Sequence, residues 1–190
     1  GGGSRLGGYT EPPPANQVPD HPFNIIIGRL TDNSGTVRVL FHSDVKAYLS
    51  YGEQSGRLSH KTAVQNLRAG EPFDFVIDSL TKNTRYYYRV MYQAGGRNQQ
   101  SNAFSFHTKR SKDSSFVFTV QADSHLDENT SGEVYLRTLG NALADQPDFH
   151  FALGDTFMTG KYVKPELSEP QYLAQRYYLG HLCHSAALYF

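Results

Sequence analysis

The feature that most limits what this chain can fold into is a strand–helix–strand signature between Phe116 and Asp155. FVFTVQA is an almost continuous apolar run, and FHFAL is a second. Between them Leu136, Leu139 and Leu143 fall at helical spacing, and Pro147 closes the segment. Two strands joined through a helix of this length lie parallel, with a right-handed crossover. The unbroken apolar character of FVFTVQA predicts a strand covered on both faces. Thr130-Ser131-Gly132-Glu133 supplies a capping box, with Thr130 as N-cap and Glu133 reaching back. A second helix is expected from about Ser168 to about His184, with Glu169 and Pro170 in its first turn. AALYF then reads as a third strand.

Upstream the rhythm is different. From about Phe23 to Thr108, seven short runs read as strands: NIIIGRL, TVRVLFHS, KAYLSYG, KTAVQNL, FDFVIDSL, RYYYRVMYQ and AFSFHT. Gly, Asn, Asp and Ser separate them, as expected for an antiparallel sandwich. In TRYYYRVMY, residues Thr84, Tyr86, Tyr88, Val90 and Tyr92 share one face. Aromatic residues make up 13% of the chain, without Trp, and Tyr and Phe suit strands. The polar stretch Lys109–Ser115 is the natural boundary. The expected organisation is a flexible Gly/Pro-rich lead-in over 1–20, an all-β antiparallel sandwich over 21–110, and the first βαβαβ part of an α/β domain over 115–190.

Charge and cysteine content remove several functions. Lys plus Arg and Asp plus Glu both number 18, so no global basic field attracts nucleic acid or a membrane surface. Cys183 is the only cysteine, which excludes an intrachain disulfide and a cysteine-based zinc knuckle. No apolar run is long enough to span a bilayer. The chain opens GGGSRLGGYT and closes SAALYF in what reads as a strand, so it is expected to be a fragment of a longer protein.

The chemistry concentrates at the strand tips. Ligands of parallel sheets bind beyond the carboxyl ends of the strands. FVFTVQA runs into Asp123-Ser124-His125, and FHFAL runs into Gly154-Asp155. Neighbouring strands put their tips roughly 5 Å apart. Bare carboxylates that close repel, and a divalent cation removes the conflict. His125 can offer an imidazole nitrogen to the same ion, a donor set suited to Zn, Mn or Fe. Gly154 lets the chain turn sharply at Asp155.

ADSH followed by FALGDTF resembles the first two motifs, D-x-H and G-D-x-x, of the calcineurin-like metallophosphoesterases. Leu80, Thr84, Tyr86 and Val90 in LTKNTRYYYRV are similar to the tyrosine corner of fibronectin type III-like domains, with Lys82 where a proline is usual. A fibronectin III-like sandwich before such a domain resembles the purple acid phosphatases and their bacterial relatives. The resemblance implies two metal ions (Fe, Mn or Zn), with Asp123 and His125 on one and Asp155 bridging both. It implies hydrolysis of a phosphomonoester or phosphodiester by a metal-bound hydroxide. Separately, Thr156, next to Asp155, is a candidate for the substrate side of the site. His125 stands where the purple enzymes have glycine, and Met158 where they have the iron-binding tyrosine. The expectation is therefore their architecture without the tyrosinate–iron centre. The family's G-N-H-[DE] and later histidine motifs do not occur in these residues, so the fragment alone is expected to be catalytically silent. Analogy with sandwich-bearing phosphatases implies a secreted or periplasmic protein.

Other residues have plainer roles. Asp127 and Glu128 read as solvated or at the helix start, and His150 as packed inside its strand. His181 and His184 read as donors or cations at a helix end. Cys183 reads as a buried small hydrophobe, and Tyr86–Tyr88 as sandwich core. The competing function is a binding or adhesion module in which the α/β part is structural.

Overall fold

The computed structural model describes residues 15–127, 129–156 and 165–190. An antiparallel sandwich comes first. One sheet has the order β1-β2-β6, from Phe23–Gly28, Gly35–Phe41 and Phe73–Ile77. The facing sheet is built on β3 (Val45–Gly52) and β7 (Arg85–Ala94). β4 (His60–Lys61) and β5 (Gln65–Leu67) pair with β3, while β8 (Arg97–Gln100) and β9 (Phe104–His107) pair with β7. Ile25, Ile27, Val37, Val39, Phe75 and Ile77 from the first sheet meet Ala47, Leu49, Tyr86, Tyr88, Val90, Tyr92 and Phe106 from the second. The shared face of β7 is thus the core face.

Two details depart from the expected strands. KTAVQNL divides into β4 and β5, separated by Thr62–Val64, whose Val64 is exposed. The polar segment RNQQ forms β8, although nothing in its composition favours a strand. The hairpin imposes it: Gly95 and Gly96 take φ of 54° and 76°, and Ala94 pairs with Arg97 across them. Two consecutive left-handed residues make the tight turn whose twist matches a hairpin.

The α/β part follows. β10 (Phe118–Ala122), β11 (Phe149–Leu153) and β12 (Ala187–Tyr189) form a parallel sheet in that order. α1 (Gly132–Ala144) and α2 (Pro165–Cys183) are the crossovers. Two successive right-handed crossovers moving one way put both helices on the same face. Accordingly Leu126, Tyr135, Leu139, Tyr178, Leu179 and Leu182 form one core, with Leu136, Leu143 and Leu188 packed against it. The opposite face is bare in large part: Phe118 and Val120 are 50% and 51% exposed, and Phe116, Leu153 and Tyr189 are also exposed. The expectation that FVFTVQA is covered on both faces is therefore corrected. Only Phe149 and Ala187 on that face reach the sandwich core.

The helix ends also differ from expectation. Ser131, not Thr130, is the N-cap of α1, its hydroxyl accepting from Val134 N at 3.4 Å. Thr130 instead donates to the Ser124 carbonyl, and Glu133 pairs with Arg137 one turn on. α2 begins at Pro165, ahead of Ser168, and carries Pro170 within it. α1 stops at Ala144, and Gln146 takes φ 50° just before Pro147. Within the stretch read as a flexible lead-in, Ala15 is 1% exposed and packs in the helical core with Val18 beside it. Residues 1–14 lie outside the described residues.

Candidate metal centre

Asp123 follows directly on β10 and Asp155 follows β11 after one residue, Gly154; the last residues of the two strands, Ala122 and Leu153, are in register. Both tips leave their strands through left-handed backbone. Asp123, His125 and Leu126 have φ of 56°, 54° and 54°, and Gly154 and Asp155 have 44° and 38°. Four of these five residues are not glycine, and each such conformation costs on the order of 1–3 kcal/mol. The surroundings hold them in place. His125 N donates to the Asp155 carbonyl at 2.8 Å, tying one tip to the other. Ser124 Oγ donates to the Thr156 carbonyl at 2.9 Å, and Thr130 Oγ1 donates to the Ser124 carbonyl at 2.9 Å. Leu126 is fully buried among the helices, and its carbonyl accepts from Gln171 Nε2 at 3.2 Å.

One ligand atom each from Asp123, His125 and Asp155 lies within 4.8 Å of the others. His125 Nε2 is 4.0 Å from Asp123 Oδ1 and 3.9 Å from Asp155 Oδ2. The carboxylate side chains are 72% and 68% exposed, and the imidazole 39%. A metal with roughly 2.0–2.2 Å bonds to nitrogen and oxygen requires these atoms to close by less than about 1 Å. Exposed side chains can make that movement, so the residues fit an ion. Thr156 is held beside the first motif through its backbone carbonyl. Met158 and Glu128 lie outside the described residues. A cavity of about 480 Å³, lined by His107, Lys109, Arg110, Asp148 and Phe149 among others, lies at the far end of the parallel sheet from these carboxylates.

The remaining residues resolve individually. Asp127, expected to be solvated or at the helix start, is 3% exposed and takes the second role: its carboxylate accepts from Asn129 N at 2.9 Å on the approach to α1. His150 is buried, pairs through Nδ1 with Thr119 Oγ1 at 2.8 Å, and has its pKa lowered by burial. His184 stacks on Phe104, and burial with the nearby His181 brings its pKa down to about 4. It is therefore neutral rather than a cation at the helix end. His181 Nδ1 lies 2.8 Å from the Tyr177 carbonyl one turn before it. Burial pushes the Cys183 thiol pKa up, as suits a small hydrophobe. Tyr86 accepts from Thr81 N at 2.9 Å and donates to Glu53, which closes a tyrosine corner.

Sequence reasoning missed the contacts joining the two parts. The buried Tyr88 hydroxyl donates to the His184 carbonyl, just beyond α2. Asp148 accepts from Arg110 Nε and Val117 N, both at 3.0 Å, and pins the boundary segment to the start of the sheet. No local pattern signals such partners, because they lie far apart in the chain.

Residues 22–108 match the family described as Purple acid Phosphatase, N-terminal domain. No curated protein matches the chain. Among solved structures, purple acid phosphatase PPD1 from yellow lupin (Lupinus luteus) superposes with a TM-score of 0.63 at 14% identity, over 86% of this chain and 34% of its own. PhoD superposes with a TM-score of 0.53 at 13% identity, over 95% of this chain and 38% of its own. The chain thus spans little more than a third of the length of these structures. No helix among the described residues is long and apolar enough to cross a membrane. The chain thus pairs a segment, residues 22–108, that matches the purple acid phosphatase N-terminal domain family with an α/β part, and it shares its fold with the corresponding third of a purple acid phosphatase and of PhoD.

Proposed function

We propose that this chain carries the first part of a metal-dependent phosphoesterase centre. The observation that carries the reading is the convergence of Asp123, His125 and Asp155 at the carboxyl edge of a parallel sheet. The likeness to a purple acid phosphatase and to PhoD, both at low identity, supports the same class of chemistry. Bound divalent or trivalent ions would supply Lewis-acid activation of water and would offset charge on a phosphoryl group.

The chain's own residues prepare that site. The His125 N–H bond to Asp155 O sets the spacing of the two tips. Left-handed backbone at Asp123 and Asp155 turns their carboxylates out of the strands. Their exposure leaves them open to a phosphate ester from solvent. Asp123 and His125 would hold one ion, and Asp155 would reach a second. Thr156, beside Asp155, is the residue that would meet the substrate in this reading. Among the described residues no other carboxylate, histidine or cysteine joins the cluster. In this reading the donors of a second ion belong to the family motifs not found in these 190 residues, and the 190-residue chain by itself is expected to bind metal without turnover. Placement outside the cytoplasm belongs to the same reading.

The test is a metal titration of this chain with a phosphatase assay on a generic aryl phosphate. One equivalent of Zn or Mn bound, abolished by Asp123→Ala, without turnover, supports the reading. EDTA-sensitive hydrolysis by a longer polypeptide carrying this chain completes it. No metal uptake by either protein would favour a binding module with a structural α/β part. Robust turnover by the 190-residue chain would overturn the division of the site.

A further inference from the structure

The lead-in segment is fastened to the body of the protein by hydrogen bonds whose direction can be read from their ends. Arg176, 4% exposed on α2, can only donate, and its Nε–H reaches Asn24 Oδ1 on β1 at 2.9 Å. That bond turns the Asn24 oxygen to the arginine and leaves Nδ2 facing His21 Nε2 at 3.3 Å. An amide nitrogen can only donate, so His21 Nε2 accepts. On the other side of the ring, His21 Nδ1 lies 2.9 Å from the Pro19 carbonyl, which can only accept, so Nδ1 carries the hydrogen. Both neighbours select one neutral tautomer. His42 Nε2, 3.0 Å from His21 Nε2, must then be a second donor to the same lone pair.

We propose that the His21–His42 pair is an acid-released latch, opened when both rings carry a hydrogen on the facing Nε2 atoms, that seats the lead-in segment against the sandwich and α2. Protonating His21 puts a hydrogen on Nε2, where Asn24 and His42 already aim theirs. The Asn24 bond is lost at once, while the His42 bond reverses by tautomer exchange and is lost when His42 is protonated as well. The groups around the pair oppose the added charge. From α2 comes the Arg176 guanidinium; His181 lies across the Tyr177 ring, and His184, neutral and just beyond α2, lines the same cavity of about 300 Å³. Tyr177, its rings 4.8 Å from His21 and 4.7 Å from His181, stays a neutral phenol because burial raises its pKa. Asp20 is the carboxylate facing the pair. The pair is not arranged as a cation site, since the His21 lone pair is already used twice and Arg176 is close.

The sign follows. Burial, His21 and Arg176 lower the pKa of His42 below its usual 6.5. A histidine depressed in the folded state contributes stability above about pH 6.5 that is lost as pH falls through the folded value. What the latch holds is concrete: Ala15 and Val18 seated on the helical core, and the His42 N–H donating to the Pro22 carbonyl at 3.1 Å.

The His42 amide reports release directly. Its hydrogen exchange, corrected for intrinsic rates, is followed by NMR from pH 8 to 5 in EDTA, together with the His21 and His42 ring titrations. Opening should grow as pH falls below roughly 6.5, by at most about tenfold per pH unit for each proton taken up by the pair. The Val90 amide, held by Ser101 Oγ inside the sandwich, should stay protected throughout. His21→Gln, which keeps an acceptor but cannot titrate, should flatten the response. The latch is refuted if the rings titrate while the His42 amide stays closed, or if His21→Gln keeps the full response. The ring and amide titration of the unsubstituted chain decides the matter if His21→Gln does not fold.

Discussion

Asp155→Asn separates the charge of this carboxylate from its shape. Asparagine accepts left-handed backbone as aspartate does, so φ of 38° adds no new strain. The bond from His125 N to the residue 155 carbonyl involves main chain only and is kept. What changes is electrostatic. Two carboxylates with ligand atoms within 4.8 Å repel by roughly 1 kcal/mol at the dielectric of water, and their high exposure puts them near that limit. In EDTA the variant should therefore be as stable as the parent, or up to about 1 kcal/mol more stable. That gain should disappear in 1 M salt, where the screening length is about 3 Å. With Zn or Mn at 100 times its dissociation constant, the parent gains about 2.7 kcal/mol and the variant should lose most of that gain. Urea unfolding at fixed m-value, with and without metal, reads both limbs. A loss above about 1 kcal/mol in EDTA would mean that the carboxylate braces the fold. An equal metal gain in both proteins would remove Asp155 from the site.

Tyr88→Phe keeps the ring but strands the His184 carbonyl, and should cost about 1–3 kcal/mol in chemical denaturation; a change within error would show that water replaces the hydroxyl. Asp148→Ala removes the acceptor of both Arg110 and Val117 and should cost about 2–3 kcal/mol, while Asp148→Asn should recover part of it; equal losses would mean that only the charge matters. His184 should contribute an acid limb to stability. With its pKa at about 4 when folded and about 6.5 when unfolded, its contribution is full above pH 6.5 and is lost as pH falls towards 4. His184→Gln should flatten that limb in pH-dependent melts, and an unchanged limb would assign the acid sensitivity elsewhere.

Periodicity was enough for the elements whose signal is local. The alternation in β7 reports a half-buried strand, and the leucines of α1 report a helix, because side-chain direction repeats every two or 3.6 residues whatever the partner is. The same reasoning failed where a competing interaction decided. Thr130 and Ser131 are both good caps, and the Ser124 carbonyl drew Thr130 away. RNQQ became a strand because the glycine turn returned it along β7. FVFTVQA was read as covered twice because apolar content records the need for burial without naming the layer that meets it.

The candidate site divides in the same way. The residue types and their places at two strand ends were legible, since a βαβ unit aligns the tips of its strands. That Asp123, His125 and Asp155 converge within 4.8 Å was not, because it depends on three left-handed backbone turns and a main-chain bond between the tips. By itself, the sequence determined the two-part architecture, the parallel pairing of the strands and the carboxylates and histidine at their ends, all of which follow from local pattern and chain connectivity. Only the tertiary structure decided how the parts are joined, through Tyr88, Asp148 and the Arg176–Asn24–His21–His42 chain, because the direction of a hydrogen bond belongs to the pair of groups that make it and not to either sequence segment alone.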